Sequence, residues 1–118
     1  MTLEQCYEKL NGSYNEAIKH LMNEKLAETF SLKFLDDPTM EQLREAVKAG
    51  DIDGSFRAVH NLKGVAGNLA FTSLQKAASE LTEQLRPREQ PADSALMEKL
   101  EECYKTVCEA LTAYKNEK

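Results

Sequence analysis

The chain has 118 residues, 42% of them hydrophobic and 30% charged, a length that buries a core without disulfide or metal staples and a composition that excludes a disordered chain. No run of about 18 apolar residues occurs, and Met1 leads straight into Thr2-Leu3-Glu4-Gln5, so neither a membrane span nor a cleavable secretion signal is expected. Twenty acidic residues against 15 Lys and Arg give a net charge of −5, which opposes non-specific nucleic-acid binding, since that needs basic surface to neutralise phosphates.

No alternating β-branched run reads as a strand, and helical spacing fills the chain. A short first segment, Leu3 to Leu10, ends at Asn11-Gly12. Ser13 caps a second helix, with Glu16 completing a capping box. Its apolar face is Tyr14, Ile18, Leu21 and Met22, and Leu26, Phe30 and Phe34 carry the spacing on to Asp36-Asp37-Pro38. One helix or two could fill Ser13 to Leu35. Thr39 with Gln42 reads as another capping box, followed by Met40, Leu43 and Val47 and closed by Gly50. Asp51 or Asp53 caps the next helix, whose stripe is Ile52, Phe56, Val59, Leu62, Ala66 and Leu69. Thr72 with Gln75 reads as a third capping box, and Leu74, Ala78, Leu81 and Leu85 follow, ending at Arg86-Pro87. Pro87 to Asp93 is a polar loop. The last helix runs from about Ser94 to Tyr114, with Leu96, Leu100, Cys103, Val107 and Leu111 as its seam. Short loops between amphipathic helices predict antiparallel neighbours. The expectation is one all-α domain over residues 1–118, an antiparallel up-down four-helix bundle with additional N-terminal helical segments.

Cys6, Cys103 and Cys108 make an odd count, which with no signal peptide points to a reducing cytoplasm. They read as small buried apolar residues, and their spacing is neither a redox pair nor a zinc site, so no structural metal is expected. His20 lies off the apolar face of its helix with no Gly or Lys around it, and reads as a plain surface residue.

His60 differs. On a helix at about 100° per residue, with His60 at zero, Lys63 falls near −60°, Gly64 near +40°, Gly67 near −20° and Arg57 near +60°. Ile52, Val59, Leu62, Ala66 and Leu69 cluster roughly 140° away, so the imidazole points to solvent. A neutral imidazole has a free ring nitrogen and is a good nucleophile. A phosphoryl group on it carries about two negative charges, which the compact ammonium of Lys63 one turn on can meet. Gly64 and Gly67 each cost about 1 kcal/mol in a helix interior relative to Ala, which points to a need for bare backbone where a partner carrying the phosphoryl group approaches. From Gly54 through Ser79 there is no Asp or Glu, while Arg57, Lys63 and Lys76 lie inside that window. The site therefore reads as locally positive on a negative chain. If the helix pair turns near Phe71, the residue level with His60 on the next helix is near Thr82, whose hydroxyl could fix the imidazole tautomer, with Ser79 and Glu83 a turn or less away.

His60-Asn61-Leu62-Lys63-Gly64, followed by Gly67-Asn68-Leu69, resembles the signature of histidine-containing phosphotransfer (HPt) domains. Gly50-Asp51 before the helix, Leu74 and Leu81 after it, and the all-helical plan extend the resemblance over most of the chain. One departure is Ala70, where the family often has Gly to ease the turn. The resemblance implies a phosphocarrier of a bacterial-type multistep phosphorelay, a cytoplasmic monomer with no nucleotide site of its own. His60 would be the phosphoacceptor and Lys63 the phosphate-stabilising residue, with Gly64, Gly67 and Arg57 at the docking face. Its partners would be response-regulator receiver domains or a hybrid sensor histidine kinase, not nucleic acid or membrane. No cofactor is expected in this chain; Mg2+ is expected on the receiver. Two other readings stand beside it: a helical adaptor that docks receivers without phosphotransfer, and a phosphohistidine enzyme acting on a small substrate, which the acid-free window opposes because no general acid is at hand.

Overall fold

A computed structural model describes residues 1–117. Among them are seven α-helices and no strand: α1 (Leu3–Lys9), α2 (Tyr14–Leu21), α3 (Glu24–Lys33), a 3-10 turn (Phe34–Asp36), α4 (Thr39–Lys48), α5 (Ile52–Asn68), α6 (Thr72–Leu85) and α7 (Ser94–Asn116). Helices α4 to α7 form the up-down four-helix bundle, each packed on the next in sequence. Helix α1 lies against α7, and α2 against α3 and α5.

The sequence stripes are the core. Val59, Leu62 and Ala66 of α5, Leu74, Ala78, Leu81 and Leu85 of α6, and Leu100, Val107 and Leu111 of α7 are fully buried. The segment from Ser13 to Leu35 resolves into two helices. Met22 takes a left-handed φ of 81°, and Asn23 then caps α3 by accepting the Leu26 N–H at 2.9 Å. Met22 thereby leaves the apolar face on which its spacing placed it and stands 82% exposed.

Capping differs from the sequence reading in three places. Thr39 and Thr72 are the first residues inside their helices, not caps. Thr39 donates its N–H to Asp37 Oδ1 at 2.8 Å, and Pro38 and Phe71 occupy the cap positions without side-chain bonds. Ser13 does accept the Glu16 N–H at 3.2 Å, but the Glu16 carboxylate turns to Lys19 and His20, so only half of that box forms. A complete box sits instead at Thr2 and Gln5. Asp51 caps α5 by accepting the Gly54 N–H at 2.9 Å.

The link from α5 to α6 fixes how the His60 helix meets its neighbour. Phe71 donates to Ala66 O at 2.9 Å and Ala70 to Gly67 O at 3.1 Å, the double bond of a Schellman stop. Ala70 takes the left-handed φ of 59° that such a stop requires. The N-terminal segment holds this turn from above. Ser13 donates its N–H to Ala70 O at 2.9 Å, Tyr7 donates its hydroxyl to Leu69 O at 2.8 Å, and the buried Phe71 ring packs on Tyr7 and Phe34.

Candidate functional site

Helix α5 runs from the core to solvent across its width. Val59 and Leu62 face the bundle, and His60, one residue round, is exposed. Gly64 is exposed in the next turn, and a Cβ placed on it would meet nothing within 4 Å. Lys63 is half-buried between them. His60, Lys63 and Gly64 thus line one open groove, and its far end is made by His20, Gly67 and Gln75.

Gly67 is not equivalent to Gly64. A Cβ there would lie 2.8 Å from Gln75 Nε2, so its bare face is covered by a side chain of α6. Only Gly64 of the two presents open backbone. His20 is not a plain surface residue either. Its Nδ1 lies 3.2 Å from Asn68 O, which ties α2 to the last turn of α5 and brings the ring to the same groove as His60. The sequence held no signal for that contact, which spans 48 residues.

Thr82 does not reach the imidazole. It is fully buried, and its hydroxyl is donated to Ala78 O at 2.7 Å. Glu83, one residue on and about 100° round the helix, is the exposed group of that turn whose carboxyl feels the His60 charge. Arg86 first, through a 2.7 Å ion pair, and then Lys63 and His60 hold the Glu83 carboxyl below its ordinary range.

Arg57 is engaged rather than free. It pairs with Asp53 at 2.5 Å, and Arg88 reaches the same carboxylate at 3.4 Å. The acid-free stretch of sequence is therefore bordered in space by two carboxylates, one from each end. Arg57, Lys63, Arg86 and Arg88 outnumber Asp53 and Glu83, so the surroundings of His60 keep an excess of positive charge. Among the described residues no group of three or more His, Cys, Asp or Glu side chains could hold a metal ion.

An exposed histidine, a lysine one turn on and an open glycine on a bundle helix are the features the sequence signature implied. The sequence matches the family model of the Hpt domain over residues 36–110. The chain belongs to the Hpt domain family. The match begins in the 3-10 turn and ends in α7, so it covers the four-helix bundle and leaves α1, α2 and α3 outside. No curated protein and no solved structure matches the chain. Hpt domains are histidine phosphocarriers of phosphorelays, not kinases, and they work with receiver domains and sensor kinases. Among the described residues of this Hpt protein no helix is long and apolar enough to cross a membrane.

Proposed function

We propose that His60 accepts a phosphoryl group from a receiver-domain aspartyl phosphate and donates it to the aspartate of another receiver. The observation that carries this reading is the exposed His60 with open backbone at Gly64 in the following turn, inside the Hpt match. A ring nitrogen of the neutral imidazole supplies its lone pair to phosphorus, forming the N–P bond. The P–O bond to the aspartyl carboxyl breaks, and the carboxylate leaves with that electron pair. The reverse sequence hands the group on. Lys63 meets the charge on the moving group, and Gly64 lets the receiver backbone approach. Mg2+ belongs to the receiver in this scheme. The three free cysteines support a cytoplasmic setting, where thiols stay reduced.

The test is incubation with a phosphorylated receiver, with acid-labile label on this chain as the expected result. His60→Gln should abolish the label and leave the fold intact, because the side chain is exposed. Labelling of that variant at the wild-type rate would remove His60 from the role. Receiver binding without any label on the wild-type chain would make the protein an adaptor.

A further inference from the structure

The α6–α7 connection looks in sequence like a polar linker, yet it folds back onto α5. Arg88 takes a left-handed φ of 56° and donates its N–H to Leu85 O at 2.9 Å. Its guanidinium is held from two more sides: Nη1 donates to Arg86 O at 3.0 Å and Nε to Asp53 Oδ1 at 3.4 Å. So fixed, the guanidinium carbon lies 3.7 Å from the centre of the Phe56 ring. Arg86 approaches the same ring at 5.5 Å. Phe56 is one turn before His60, and the two rings lie 5.7 Å apart at 30°, close to offset stacking. Phe56 is only 8% exposed: it belongs to the core stripe of its helix, and the loop arginines lie over its ring.

We propose that Arg88 is a positioning residue for His60, acting through Phe56; this rests on the reading of His60 as the phosphoacceptor. An exposed histidine alone samples several rotamers, and only some aim a ring nitrogen along the line of attack. A phenyl ring pinned under a guanidinium gives the imidazole a fixed plate to rest on and raises the fraction of time it is aimed. The planar guanidinium suits this role better than an ammonium, which cannot stack. The linker between the last two helices is thereby part of the phosphoryl site.

The experiment compares Arg88→Ala and Arg88→Lys with the wild-type chain in single-turnover transfer from a phosphorylated receiver, varied in concentration, and records the His60 ring resonances by NMR. Arg88→Ala should lower the saturated rate about 3- to 10-fold and leave the half-saturating concentration within about twofold. The His60 ring protons should move towards the positions of an unstacked histidine, and Arg88→Lys should not restore rate or shift. Phe56→Leu should reproduce both effects. An unchanged saturated rate with unmoved resonances overturns the inference. Restoration by Lys would make Arg88 a charge contact, and a rise in half-saturation alone a docking contact, and either also overturns it. If the wild-type chain takes no label, the phosphocarrier reading falls, and the resonances alone decide whether Arg88 positions the ring.

Discussion

Lys63 has no ion-pair partner among the described residues, and the acid that feels its charge is Glu83 on the next helix. Its ammonium is thus available to a phosphoryl group one turn back. Lys63→Ala should slow transfer without removing the nucleophile. A lost charge-assisted contact is worth about 1.5–3 kcal/mol, roughly a 10- to 150-fold loss in rate if fully expressed. A rate within twofold of wild type in the phospho-receiver assay would reduce Lys63 to a solvated side chain. Gly64 sets two observables against each other. A methyl there meets nothing within 4 Å, so Gly64→Ala should stabilise the free protein by up to about 1 kcal/mol in thermal unfolding. The same methyl stands where the receiver backbone approaches, so transfer should slow, and Gly64→Glu should nearly stop it. A stabilised variant with normal transfer would move the docking face off Gly64.

Two helix stops of the same design differ in their pivotal residue. After α4, Gly50 takes a φ of 70°, with Asp51 N–H on Ala46 O at 2.9 Å and Gly50 N–H on Val47 O at 3.1 Å. After α5, Ala70 stands in the same place with the same pair of bonds. A side chain in the left-handed region costs roughly 1 kcal/mol. Gly50→Ala should therefore lower stability by about that amount, since its Cβ would meet no atom within 4 Å and only the backbone is strained. Ala70→Gly relieves the same strain but removes a methyl that is only 5% exposed, so it should raise stability by no more than about 0.5 kcal/mol. Thermal unfolding of the two variants tests the opposite signs, and neither should alter transfer, because both stops lie away from His60. The departure of Ala70 from the family pattern was legible in sequence. That the turn keeps the left-handed geometry regardless was not, because the contacts that hold it come from Tyr7 and Ser13.

Burial of ionisable hydroxyl and thiol groups makes the stability of the whole molecule fall at high pH. Desolvation pushes the Tyr7 hydroxyl up to about 12, and desolvation also pushes the Cys6 thiol up to about 11. Both groups are fully buried. They stay protonated in the folded chain above the pH at which the unfolded chain releases those protons. The unfolded state then binds fewer protons, so stability falls as pH rises. Tyr7 alone removes about 1.4 kcal/mol per pH unit between its ordinary value and its raised one. Circular dichroism from pH 8 to 12 should show an alkaline unfolding transition, with constant ellipticity through pH 12 as the contrary result. Tyr7→Phe should be less stable at neutral pH, having lost its bonds to Leu69 and Ser31, and should show a shallower alkaline slope. Helix placement, the core stripes and the His60-Lys63-Gly64 face were determined by the sequence itself, because each rests on spacings of three or four residues along one helix. The burial of Thr82, the covering of Gly67 by Gln75, the docking of His20 on Asn68 and the stacking of Arg88 on Phe56 were decided only in the tertiary structure. Each depends on how far one helix is rotated against another or on the path of a loop, and the summed packing of all the buried side chains sets those, not any local pattern.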